Sequence, residues 1–202
     1  FRNYTQNKRT EFKTVDANVM FEQDASNITF TATDADKGTL SGLVDGGKYT
    51  VNGNGFTATG ETHEVTGITE GNLIIVKKAN AANETDSDAK KITVDQATQP
   101  TVTSAACTTA DNNDGKLKGV TTGMQYKLAD ATEWTNISGE AISADDSSIT
   151  LPAGTYHVRV KASGTTLAST NQEVTIASYS APALTGTVTI AGTAKFGQTL
   201  TA

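Results

Sequence analysis

Two short loops carry the residues with the clearest chemical potential. Asp34-Ala35-Asp36-Lys37-Gly38 and Asp111-Asn112-Asn113-Asp114-Gly115 are dense in side-chain oxygens, and both end in glycine. A hard cation such as calcium takes roughly six to eight oxygen ligands. Asp111, Asn113 and Asp114 would lead such a site, with Asp34 and Asp36 as the counterparts in the other loop. Neither loop has the full spacing of an EF-hand or its late glutamate. The same residues suit a hairpin turn, because Asp, Asn and Gly tolerate positive φ. Calcium is the one ion the sequence allows for, and no other cofactor is expected.

Other patterns approach a reactive motif and stop short. Gly42-Leu43-Val44-Asp45-Gly46-Gly47-Lys48-Tyr49 nearly spells the phosphate-cradling G-x-x-x-x-G-K-(S/T). Tyr49 replaces the hydroxyl that would hold magnesium, and a strand pattern follows where a helix N-terminus is required. His63 and His157 lack the paired histidine of a zinc-protease helix and read as surface residues. Asp145-Asp146 sits in a loop with nothing to mark glycosidic chemistry, and no G-x-S-x-G elbow occurs. Leu151-Pro152-Ala153-Gly154-Thr155 reverses the Thr-Gly order of a sortase signal and reads as a turn. No catalytic residue is assigned, and the chain reads as non-enzymatic.

The elements that position these residues come as a repeat. The frame G-x-L-x-G-(L/V)-x-x-G-x-x-Y-x-(L/V) covers Gly38–Val51 and again Gly115–Leu128, at an offset of 115 − 38 = 77. Gly71–Ala79 then matches Gly154–Ala162, and Ile92-Thr93-Val94 matches Val174-Thr175-Ile176. Glycines, one tyrosine and alternating aliphatics are kept while polar positions drift, as in a scaffold whose turns and core faces are constrained. An insertion in the second copy falls near Gly139–Ser148, where a loop can absorb it. Phe56-Thr57 aligns with Trp134-Thr135, and Cys107 aligns with Phe30. Trp134 therefore reads as a core aromatic, with a sugar-stacking platform as the alternative. Cys107 reads as a buried free thiol, and a single cysteine excludes an internal disulfide.

Composition agrees with strands. The chain has 36 threonines and 18 glycines but only three prolines, and no window sustains helical apolar spacing. Thr155–Lys161 alternates, with Tyr156, Val158 and Val160 inward and Thr155, His157, Arg159 and Lys161 outward. Short strands between frequent turns predict an all-β protein of tandem antiparallel Ig-like β-sandwich domains. The boundaries read as a leading segment 1–20 (tail of a preceding domain or an extended strand), a first sandwich 21–97, a second 98–182, and 183–202 as opening strands of a further repeat or a donor strand. Asp95–Pro100 and Ala177–Pro182 read as linkers without packing of their own. The net charge of −6 and pI near 4.9 count against nucleic acid as a partner. The longest strongly apolar run, Leu73–Val76, is far too short to span a membrane as a helix.

Gly123-Met124-Gln125-Tyr126, Trp134-Thr135, Leu151–Ala162 and Ala168-Ser169 together carry a family resemblance. They resemble tandem bacterial Ig-like, fibronectin-III-like modules of large cell-surface proteins from gut Gram-positive bacteria. Leu184–Leu200 is similar to the start of another such repeat. The resemblance covers about half of the chain, with Gln125 standing where an acid is usual. It implies a secreted, extracellular spacer or adhesive segment without catalytic residues. Neighbouring Ig-like domains of the same chain are the expected partners, with host or cell-wall glycan, or self-association through terminal strands, beside them. Two other readings stand next to it. One is a filament subunit joined by strand addition through Val188 and Ile190. The other is a carbohydrate-binding module built on Trp134, Tyr156 and Tyr179.

Overall fold

The computed structural model describes residues 20–183 together with Thr185, Gly186, Phe196 and Gly197. The expectations for the segments 1–20 and 183–202, including Val188 and Ile190, fall almost wholly outside the described residues. The chain divides into two compact units. The first comprises the residues up to Thr98 together with Val160–Thr170, and the second comprises Gln99–Arg159 with the residues from Asn171 onward.

The strands run in chain order as β1 (Phe21–Glu22), β2 (Thr29–Ala32), β3 (Lys37–Ser41), β4 (Lys48–Val51), β5 (Asn54–Thr57), β6 (Thr62–Thr66), β7 (Gly71–Lys77), β8 (Glu84–Thr85) and β9 (Lys90–Gln96). They continue as β10 (Thr103–Ala105), β11 (Gly115–Lys118), β12 (Met124–Leu128), β13 (Thr135–Asn136), β14 (Ser148–Leu151), β15 (Gly154–Val160), β16 (Thr166–Leu167) and β17 (Gln172–Ile176). In the first unit a sheet β2-β3-β6 packs against a sheet β16-β9-β7-β4-β5, while β1 and β8 pair separately. In the second, β10-β11-β14 packs against β13-β12-β15-β17. The protein is all-β, and apart from the parallel pairs β1–β8 and β16–β9 the registered strand pairs are antiparallel.

The repeated glycines explain why the motif survives. A methyl group on Gly38 would stand 2.4 Å from the Phe30 ring, and one on Gly115 would stand 2.3 Å from Ile176 Cγ2. Both glycines let a facing side chain lie directly on the backbone of the second strand of the sandwich. Gly42 and Gly119 close that strand at φ +83° and +78°, where an L side chain is strained. Asn52 and Gly53 turn β4 into β5 with φ 48° and 86°, the positive pair that a two-residue hairpin requires. Inward residues then fill each core: Leu40, Tyr49, Leu73, Ile75 and Val94 in the first unit, and Leu117, Tyr156, Val158, Val174 and Ile176 in the second.

Several sequence expectations are corrected here. Asp95–Pro100 is not a bare linker, since Asp95 and Gln96 belong to β9 and Pro100 is buried. Ala177–Pro182 also packs: Ala177 O accepts the Cys107 N–H at 2.9 Å, and Tyr179 lies against the second core. Cys107 is buried, but it does not take the place of Phe30. Phe30 pairs with Leu40 and Ser104 pairs with Leu117, so Ser104 is the equivalent of Phe30 and Cys107 lies beyond β10. The largest difference is Val160–Thr170, which the sequence places in the second repeat and which packs with the first unit. Leu167 from this segment is fully buried in the first core.

Candidate functional site

The outer face of the four-stranded sheet in the second unit gathers the polar side chains that alternate away from the core. Arg159 on β15 lies with its guanidinium 4.0 Å from the centroid of the Trp134 indole. Its Nε donates to Gln125 Oε1 at 2.8 Å, and Gln125 Nε2 donates to Asn136 Oδ1 at 3.1 Å. Lys127 Nζ stands 5.4 Å from the same indole and donates to Ala131 O at 2.7 Å. Between β15 and β17, His157 faces Glu173 at 3.4 Å, and the hydroxyls of Thr155 and Thr175 meet at 3.1 Å. Arg159 is only 6% exposed although it points outward. A weakly hydrated planar cation under an aromatic face keeps its charge while losing water.

Trp134 is therefore not a core residue, and the reason is register. Tyr49 pairs with Phe56 and Tyr126 pairs with Thr135. Thr135 thus takes the place of Phe56, and Trp134 takes the place of Gly55. A shift of one residue along a strand carries a side chain to the opposite face. In the first unit Phe56 is half-buried at the edge of the core, where its ring lies on His63 with centroids 3.9 Å apart and planes 6° apart. His63 is thus a partly covered residue that joins β6 to β5 rather than an open surface imidazole.

The aromatics proposed for sugar stacking do not gather. Tyr156 is buried, and its hydroxyl donates to Pro152 O at 3.0 Å. Burial pushes the Tyr156 phenol above its ordinary value. Tyr179 packs on the core from the other end of the unit, leaving Trp134 alone of the three on the outer face.

The oxygen-rich loops spend part of their ligands on their own folding. The Asp114 carboxylate accepts the Thr108 N–H at 3.0 and 3.2 Å, as well as the Thr108 hydroxyl. That hydroxyl, followed by the backbone N–H groups, holds the Asp114 carboxyl below its usual range. Asp111 and Asn113 are exposed, and Asn112 between them is left-handed at φ 54°. Asp34 Oδ1 accepts the Ala35 N–H at 2.8 Å, and the backbone oxygen of Asp36 accepts the Ile68 N–H at 2.8 Å. Among the described residues no three His, Cys, Asp or Glu side chains form a metal-sized cluster. The P-loop-like stretch feeds β4 directly, and the Tyr49 hydroxyl accepts the Val44 N–H at 2.9 Å within the turn.

Two shallow clefts occupy the same place in both units. One of about 270 Å3 opens beside Phe56 and His63, between the edges of β5 and β6. The other, about 340 Å3, opens beside Thr135, Ile137 and Ile149, between the edges of β13 and β14. A third concavity of about 450 Å3 lies along Glu22–Ser26 and Ser87–Lys90. There Asp24 Oδ1 accepts the Ser26 N–H at 2.7 Å, a bond that lowers the carboxyl's pKa.

A feature that sequence reading missed recurs at equivalent places of the repeated sequence, both instances lying within the first unit. Ser87 Oγ accepts the Lys77 N–H at 3.0 Å and donates to Asp88 O at 2.9 Å. Ser169 Oγ accepts the Val160 N–H at 2.9 Å and donates to Thr170 O at 2.9 Å. Each serine ties the base of the loop before the last strand, and both are buried. Their separation, 169 − 87 = 82, equals that of the last strands and was the available signal.

Strand order and the tyrosine on β15 decide the architecture. Apart from the added β16 in the first unit, the three-plus-four arrangement recurs in both units, and a Tyr early in the sixth strand that bonds back to the preceding corner is an immunoglobulin-type feature. Both units are Ig-like sandwiches. No protein-family model and no curated protein sequence matches the chain. Among solved structures, the chain is similar to the FN1–FN3 domains of chicken CNTN1 at 11% identity and a TM-score of 0.28. That similarity covers 75% of this chain and 65% of the other, just under two thirds of its length. It is similar as well to a segment of two fibronectin type III domains from chicken tenascin, at 10% identity and a TM-score of 0.25, covering 75% and 97% of the two chains. At these values the fold assignment rests on this chain's own strand order.

Proposed function

We propose that this chain is a non-catalytic structural and adhesive segment of a secreted bacterial cell-surface protein, in which tandem Ig-like sandwiches space or present a binding tip. The observation that supports this reading is the duplication of one sandwich plan, down to the buried serine under each penultimate loop. What is duplicated is core and turn, while the solvent faces differ: Trp134 and Arg159 in one unit have Gly55 and Val76 at the equivalent positions in the other. A catalytic or ligand constellation shared by both copies would have kept its outer residues as well. The acidic balance of −6 suits a soluble external segment and disfavours nucleic acid.

Single-molecule pulling between the chain ends tests the spacer role. A spacer gives reproducible unfolding steps, and featureless stretching overturns it. A glycan and host-matrix binding array on the complete chain tests the adhesive role. A reproducible hit directs mutagenesis to the loops of one unit, and silence leaves a spacer alone.

A further inference from the structure

The first unit contains two short parallel strand pairs built to one pattern. In one, Thr166 lies opposite Asp95 and Leu167 opposite Gln96. The Asp95 N–H donates to Thr165 O at 3.4 Å and the Ala97 N–H to Leu167 O at 3.0 Å. In the other, Glu84 lies opposite Phe21 and Thr85 opposite Glu22. The Phe21 N–H donates to Asn83 O at 2.8 Å and the Gln23 N–H to Thr85 O at 3.0 Å. Register and donors coincide step for step, at offsets of 166 − 84 = 82 and 95 − 21 = 74. The loops carrying β8 and β16 also share the serine tie at their base, Ser87 in one and Ser169 in the other.

The role of β16 is visible in the first unit. It lies beside the end of that sandwich's last strand, β9, and sends Leu167 into the core. Gly164 O accepts the Ala32 N–H at 2.8 Å, and the Ala168 N–H donates to Asp34 O at 3.1 Å. The loop thereby caps the open end of the sandwich whose last strand it borders. By the same register, Phe21–Glu22 stands where the end of such a last strand stands, and Ala82, Thr85 and Asp86 stand where Gly164, Leu167 and Ala168 do. Met20 and Phe21 are large apolar residues, 48% and 58% exposed, whereas Val94, the counterpart of Met20, is 1% exposed in its core.

We propose that the loop spanning residues 78–87 is a docking surface for a further sandwich of this same kind, whose last strand continues into Phe21–Glu22 as β9 continues into Asp95–Gln96. The inference rests on the tandem-architecture reading and adds to it a surface and a partner. Thr85 enters the open end of that partner where Leu167 enters the first unit, and Asp86 N–H reaches its first interstrand turn.

The probe is a sandwich of the first unit's own sequence. Residues 20–94 are placed a second time directly ahead of Phe21 in the complete chain, and amide hydrogen exchange is compared with the original protein. Docking slows exchange at Asp86 at least about tenfold. It also makes the added sandwich's Tm fall on Thr85→Arg while the transitions of the original units stay in place. Unchanged exchange at Asp86, or a Tm indifferent to Thr85→Arg, overturns the docking surface and leaves the spacer reading intact. An added copy that stays unfolded overturns it too. Failure of the spacer reading shows separately, in the pulling experiment on the original chain.

Discussion

The Arg159 guanidinium and the Trp134 indole are stacked 4.0 Å apart on the outer face of the second unit, in a position where repeat alignment would put an inward-facing ring. The guanidinium covers the indole from one side, and Lys127 Nζ approaches the same ring at 5.4 Å. Because Trp134 is the one tryptophan in the chain, its emission reports the surroundings of this ring alone. Arg159→Lys replaces a planar cation with a compact, more strongly hydrated one. The expected result is a red-shifted emission and a loss of ~0.5–2 kcal/mol in denaturant unfolding of the second unit. An unaltered spectrum would show that the guanidinium does not shield the indole.

Tyr156→Phe removes the hydroxyl bonded to Pro152 O at 3.0 Å and leaves the ring in place. Loss of one such bond costs about 1 kcal/mol. The urea midpoint of the second unit should fall at constant m-value. The equivalent position in the first unit is Leu73, so that unit has no such bond and its transition should not move.

Leu167→Ala is the sharpest test of how the first unit is assembled. Truncating a fully buried leucine costs about 2–5 kcal/mol. That loss should appear in the first unit, as faster amide exchange on β2 and β7, while the Trp134-reported transition of the second unit shifts little. The opposite pattern would return residues 160–170 to the second unit.

Gly115→Ala places a methyl group 2.3 Å from Ile176 Cγ2 and 3.0 Å from Cys107 Sγ. Overpacking of this kind costs about 1–3 kcal/mol. Gly115→Ala combined with Cys107→Ala relieves only the sulfur contact, so it should recover part of the midpoint and no more. Full recovery would mean that Ile176 moves aside freely.

Asp146 sets an acid limit on the second unit. Its carboxylate accepts the Ser148 hydroxyl at 2.5 Å and the Lys116 ammonium at 2.9 Å. These contacts, the serine first, bring its pKa from 3.8 to about 2. A folded value below the unfolded one gives stability that is present above 3.8 and fades as pH falls toward about 2. Asp146→Asn should therefore lower the midpoint at neutral pH, with the two proteins converging near pH 2. A difference that persists undiminished at low pH would assign the effect to packing.

Much of the scaffold could be read from residue types, because the constraints act locally. Alternation on β15 put Tyr156 and Val158 inside, and the repeated Gly38 and Gly115 marked places where a facing side chain rests on backbone. The misreadings share a physical cause as well. The hairpin after β12 is longer than the one after β4, so matching aromatic to aromatic slipped the register by one and turned Trp134 over. Cys107 was matched to Phe30 across a loop of unequal length between the first two strands. The capping segment around Leu167 left no local trace at all. Two-residue parallel pairing has no periodicity to detect, and its partner strand lies some seventy positions earlier in the chain.

The route of the chain also dictates a schedule. Nearly all of the first unit is encoded by Thr98, yet its core waits for Leu167, with residues 99–159 lying between. At about 5–20 residues per second of synthesis, those 159 − 98 = 61 residues take roughly 3–12 s to make. For that interval the nascent sandwich stands with one end uncapped and apolar, a window in which a chaperone, or a neighbouring nascent chain, can reach a surface that the finished protein hides.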